Sequence, residues 1–280
     1  MIPTSMRDLL VVYSVVAAFA FGRPEAASAQ LRPYDPFVWD LYVDGTDVFL
    51  QGGAAVLNGQ RASLAGTEGT LVEAGRVRAL ARTGRVTIEA AGTIRRFFEE
   101  ESRFAAPDPA VLPITGSRRA DWGDYLLITT VAVTPPRRQS AAALRFGTRL
   151  PTTDNRIGLE RDMTDFFALV LARTDRWALR FSGEIGVGIH GTRSSSYEQS
   201  DVLVVLARVE VPDMALRPSL SFVGHADGLP GRTMRGNEEL AELRAGIRTA
   251  GRNWVTVESL LGLTPFSPRY GVSISVGTTR

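Results

Sequence analysis

Hydrophobic and polar residues alternate along most of this chain. In "RWALRFSGEIGVGIH" (176–190), Trp177, Leu179, Phe181, Ile185, Val187 and Ile189 share one parity, while Arg180, Ser182, Glu184, Gly186, Gly188 and His190 share the other. A period of two sends successive side chains to opposite faces of an extended strand. The pattern recurs. Val86, Ile88, Ala90 and Ile94 stand against Thr87, Glu89, Thr93 and Arg95, and Ala142, Leu144, Phe146 and Leu150 against Arg145, Gly147 and Arg149. Further on, Leu243, Ala245 and Ile247 oppose Glu242, Arg244 and Arg248, and Val272, Ile274 and Val276 oppose Ser273, Ser275 and Gly277.

The alternation predicts about twelve strands, near 46–57, 70–82, 85–98, 122–134, 138–150, 163–173, 176–190, 200–211, 215–225, 238–249, 253–263 and 269–278. At roughly 10–15 residues they exceed the usual 5–6 of soluble sheets and suit a tilted bilayer crossing, which takes about 9–11. The connections alternate as well. "RTGR" (82–85), "TPPRR" (134–138), "RTDR" (173–176), "VPDM" (211–214) and "TAGRN" (249–253) are tight turns, and between them lie mostly longer loops such as 58–69, 99–121 and 226–238. A meander with both ends in the periplasm has short periplasmic turns and longer outer loops. Unpaired strand edges are costly in hydrocarbon, so a spanning sheet closes on itself. The expected fold is all-β: a closed up-and-down antiparallel transmembrane β-barrel of about twelve strands, an even number between about 10 and 14. Trp177 and Trp254 would mark its periplasmic rim, and Phe97, Trp122, Tyr125, Tyr197 and Tyr270 its outer rim.

The first 29 residues read as a secretory signal, with Arg7, an apolar core from Leu9 to Phe21, and small residues at Ala27 and Ala29. That core is shorter than the roughly 20 residues of a spanning helix. Cleavage near Ala29 is expected, and with it export to the outer membrane of a Gram-negative bacterium. Residues 30–45, "QLRPYDPFVWDLYVDG", are read as a periplasmic N-terminal lead-in, with a plug segment or an extra strand as alternatives, and 46–280 as the barrel.

Closure gives the polar parity a lumen. The expected pore-lining set is Arg76, Arg78, Glu89, Arg95, Arg145, Arg149, Arg180, Glu184, Glu242, Arg244, Arg248 and Glu258. Guanidinium and carboxylate groups pair bidentately across such a space. These residues form either a polar pathway selecting solutes, anions in particular, or a packed network that stiffens a narrow barrel.

All 32 basic residues are arginine, and a net charge of +2 with dispersed Arg argues against a nucleic-acid partner. Cysteine is absent, which removes thiol catalysis and thiolate metal sites. No cofactor or metal is expected. The acidic run Glu99–Glu101 with Asp108 reads as solvated surface, or as a site for cations that bridge lipopolysaccharide. "GEIGVG" (183–188) lacks the Lys and following helix of a phosphate loop. His190 and His225 are the two histidines, near Thr192, Ser194, Ser195, Ser196 and Asp227. They leave open an outer-leaflet lipid hydrolase with a His base, although no enzyme activity is expected.

The stretch "LRFGTRLPTTDNRIGLERDMTDFFALVLARTDRWALRFSGEIGVGI" (144–189) resembles the outer-membrane family labelled for the meta-pathway of phenol degradation. Leu150, Pro151, Thr152, Asp154, Gly158, Leu159, Asp165 and Trp177 occupy places matching that family's strand, Gly-rich loop and hairpin. The last strands are similar too, while Thr153 stands for the family Gly and the chain ends without an aromatic residue. The resemblance implies a barrel that moves small molecules, hydrophobic ones among them. The combined expectation is a monomeric outer-membrane channel for small hydrophobic or anionic solutes, contacting membrane lipid and lipopolysaccharide. The alternatives are the hydrolase, a non-conducting structural barrel and a soluble periplasmic β-protein.

Overall fold

The computed structural model describes residues 32–40, 47–109, 111–113, 116–135, 139–191, 199–227 and 238–280. The signal region and the serines at 194–196 lie outside these residues, as do Thr192 and Tyr197. The strands are β1 (Val48–Ala62), β2 (Thr67–Thr83), β3 (Val86–Arg103), β4 (Arg118–Asp121), β5 (Tyr125–Ala132), β6 (Ser140–Leu150), β7 (Asp165–Arg176), β8 (Leu179–Gly191), β9 (Gln199–Glu210), β10 (Leu216–Asp227), β11 (Leu240–Thr249), β12 (Asn253–Gly262) and β13 (Tyr270–Thr279).

Sequential strands pair antiparallel, and β13 returns to β1 from Phe49↔Thr279 to Asn58↔Tyr270, so the sheet closes. β4 and β5 both pair with β3 in one continuous register, Arg96↔Asp121 and Gly92↔Tyr125, and act as a single interrupted strand. The barrel therefore has twelve antiparallel strands plus the short extra β4. Among the described residues no helix is long and apolar enough to cross a membrane. The apolar outer surface is made by strands. Outward positions such as Leu127, Phe166, Val170, Ile185, Val187, Val272 and Ile274 are exposed and apolar, while their inward neighbours are buried or half-buried.

Two local features depart from the simple alternation. The loop expected at 58–69 is mostly strand, because β1 and β2 continue outward and reverse only around 63–66. The turn expected at 173–176 falls instead on Trp177 and Ala178, both at positive φ (52° and 62°), which lets β7 run on to Arg176.

A bulge changes the face of one expected lumen residue. Gly75 takes φ 67°, and the β1–β2 register shifts between Gly53 and Ala54. Below this level Arg78, Leu80, Glu89 and Thr93 are buried; above it Leu71, Glu73, Arg96 and Phe98 are. The parity has slipped by one residue. Arg95 thus stacks on the exposed Trp122, and Arg96 takes the inward place.

Of the stretch 30–45, expected as a lead-in with a plug segment as an alternative, residues 32–40 lie inside the barrel. These residues bond to β2, β6, β8 and β11 from one short segment, a set of partners met only inside the barrel. Pro33 and Pro36 deny the segment ladder donors. Tyr34, Phe37 and Trp39 supply apolar surface that packs with Phe49, Leu80, Ile128, Phe167, Leu169, Val204, Val223 and Trp254 in the lumen. Residues 30–31 and 41–45 lie outside the described residues.

Candidate functional site

The lumen is organised around this segment. At its outer end Tyr34 lies on Phe167, with ring centroids 4.4 Å apart, and its hydroxyl meets His190 Nε2 at 3.2 Å. His190 packs edge-on against His225 at 5.2 Å, and His225 Nε2 donates to the Glu238 carbonyl at 2.9 Å. Both histidines are therefore packing and hydrogen-bonding groups of the lumen. Among the described residues no serine or threonine hydroxyl bonds to either ring.

In the middle, Asp35 accepts from Arg244 Nη1 at 2.6 Å and Arg76 Nη2 at 3.2 Å. Arg145 Nη1 donates to the Asp35 carbonyl at 3.0 Å, Arg78 Nη2 to the Pro36 carbonyl at 2.9 Å, and the Phe37 N–H to Glu184 Oε1 at 2.5 Å. Burial alone would raise the Asp35 carboxyl, but Arg76, Arg244 and Arg78 outweigh it and hold the group well below the carboxylate range. At the segment's other end, Asp40 meets Arg180 Nη1 at 2.6 Å, Arg217 at 3.7 Å and Arg248. Burial opposes that carboxylate as well, and Arg248 and Arg180 keep it ionised.

The wall carries its own ladder. Arg145 bridges Glu89 at 3.2 Å and Glu184 at 2.8 Å, and Arg78 pairs with Glu89 at 2.6 Å. Higher up, Arg96 joins Glu73 at 3.1 Å to Glu160 at 2.8 Å, while Arg149 reaches Glu160 at 3.4 Å and Asp165 at 3.3 Å. Arg161 closes on Asp165 at 2.5 Å, and Arg244 on Glu242 at 2.7 Å.

Of the twelve residues expected in the lumen, Arg76, Arg78, Glu89, Arg145, Arg149, Arg180, Glu184, Glu242, Arg244 and Arg248 belong to this network. Glu258 borders a cavity beside the segment, and Arg95 lies outside with Trp122. Alternation missed Asp35, Asp40, Glu73, Arg96, Glu160, Arg161 and Asp165. One signal pointed toward the carboxylates among them: the expected set holds eight arginines against four glutamates, so acidic partners from elsewhere were required.

Two internal cavities flank the segment. One of about 100 Å³ lies among Arg32, Asp35, Glu73, Arg96 and Arg149. The other, about 110 Å³, lies among Asp40, Arg208, Glu210, Arg248 and Ser273. Each lies far below the roughly 300 Å³ of a small-molecule pocket. Among the described residues no group of three or more His, Asp or Glu is arranged to hold a metal. Glu99 and Glu100 instead pair with Arg118 and Arg103, each at 3.2 Å.

No family model matches the chain, and no curated protein matches it. Solved structures similar in fold include the loop-L8 deletion mutant of OmpT, an outer membrane protein of Vibrio cholerae. It is 8% identical with a TM-score of 0.41, over 84% of this chain and 99% of that one. CdiB from Acinetobacter baumannii is 8% identical with a TM-score of 0.31, over 84% of this chain and 60% of that one.

Proposed function

We propose that the protein is an exported outer-membrane channel for small anionic solutes, held closed by its own residues 32–40. The observation that carries this reading is how the segment is held. It joins no strand ladder and is anchored by two aspartates, Asp35 and Asp40, set among Arg76, Arg244, Arg180 and Arg248. Such an occupant leaves without breaking the barrel. Its departure uncovers guanidinium groups along the lumen, which attract anions and repel cations. Transport of small molecules is also what the likeness of residues 144–189 to the phenol meta-pathway family implies.

Single-channel recording in planar bilayers tests this. The full chain is expected to be silent or to open rarely, and a chain lacking residues 32–40 to conduct steadily with anion selectivity. Silence from the deleted chain, with its barrel still folded, would favour the stiffened, non-conducting barrel. The density of the Arg145–Glu89–Glu184 ladder is the observation that keeps that second reading.

A further inference from the structure

Arg95 is set apart from the other strand arginines described above. Its guanidinium lies 5.2 Å from the centroid of Trp122, an indole 52% exposed on the outer wall. Among the described residues no carboxylate pairs with Arg95 and no acceptor meets its donors, whereas Arg96 beside it holds two glutamates. Outward residues below it on β3 and β5 are mostly apolar, with Ile88, Ala90, Ile94, Leu127 and Val131 around a single threonine, Thr129. Above it comes the exposed Phe97 and then the charged pair Glu99 and Arg118. Arg95 therefore lies within one outward position of the border of the apolar wall.

Its height agrees. A strand tilted by about 40° rises roughly 2.5 Å per residue along the barrel axis. Arg95 follows Val86, the first residue of β3 after the periplasmic turn, by nine positions. It stands about 23 Å up, near the top of an apolar band about 25 Å tall. A guanidinium facing lipid is costly unless its charge and donors are met. At this height the available acceptors are headgroups of the outer leaflet.

We infer that Arg95 and Trp122 form a binding site for the phosphate of an outer-leaflet glycolipid. The planar guanidinium takes a phosphate bidentately, the indole holds the guanidinium in place from one face, and Ile94 and Leu127 lie against acyl chains below. This rests on the outer-membrane reading above and adds the identity of a bound lipid.

Native mass spectrometry of the full-length barrel in detergent, with bis-phosphorylated lipid A as the probe, tests the site. The wild type is expected to retain this lipid and to release the same glycolipid stripped of phosphate. Arg95→Gln should retain roughly tenfold less, the scale of a lost charge-assisted bidentate pair. Arg95→Lys, which keeps charge but loses the fork, should fall between the two, and Arg252→Gln at the opposite rim should match the wild type. Equal retention by Arg95→Gln overturns the inference. So does equal retention of the dephosphorylated lipid, or displacement of lipid A by millimolar inorganic phosphate, which would make this a site for soluble anions. Heat-modifiable migration of each variant on a gel reports the barrel separately. Its loss in the wild type would count against the outer-membrane reading, and its presence without lipid retention against this site alone.

Discussion

Arg145 is 1% exposed and shares its guanidinium between Glu89 and Glu184. Removing one member of a buried ionic cluster leaves the others unpaired, which costs about 3–5 kcal/mol. Arg145→Ala is therefore expected to lower folding stability by that amount in urea titrations with detergent micelles. Arg118→Ala, from the exposed pair with Glu99, should change it by less than about 1 kcal/mol. Asp35 adds a pH dependence. Its carboxyl is depressed in the folded protein by Arg76, Arg244 and Arg78 against the effect of burial. Its stabilisation is present above the unfolded value of about 4 and lost only as pH falls through the lower native value. The closed state should hold at pH 4 and weaken below it. Asp35→Asn should flatten that acid limb in unfolding curves taken from pH 7 to pH 2, and an unchanged limb would remove Asp35 as an anchor.

At the scale of strands, period-two alternation was enough to locate nearly every barrel segment, because lipid on one side and polar lumen on the other impose it. It failed where the backbone leaves that regime. The bulge at Gly75 swaps faces without any change in composition, so Arg95 and Arg96 exchange roles. The segment 32–40 carries two prolines and no alternation, since it satisfies neither lipid nor ladder, and its inward course follows from three aromatics and two aspartates that complement an arginine-rich wall. These local conformations have measurable consequences. A side chain at Gly75 would combine positive φ with a 2.9 Å approach to Ile94. Gly75→Ala should destabilise by about 2 kcal/mol. Ala178 already sits at φ 62° in the β7–β8 turn, and Ala178→Gly should stabilise by about 0.5–1 kcal/mol in the same titration.

For the whole molecule, the course of residues 32–40 inside the barrel makes a leader cleaved near Ala29 matter to how the segment seats. Cleavage near Ala29 would leave the new amino terminus two residues from Arg32, within about 7 Å of it. Arg32 itself pairs with Glu73 at 3.4 Å and Glu242 at 3.2 Å inside the barrel. A chain whose leader stays attached is expected to miss this seating and to migrate without the compact, heat-modifiable form. The four tryptophans offer the most direct reading of which surface faces what. Trp122 and Trp177 are exposed on the outside, while Trp39 and Trp254 are 4% and 5% exposed in the lumen. In single-tryptophan variants reconstituted into vesicles of brominated phospholipid, fluorescence from Trp122 and Trp177 should be quenched and that from Trp39 and Trp254 preserved. Quenching of Trp39 to the same degree as Trp122 would contradict a barrel closed around its own N-terminal segment.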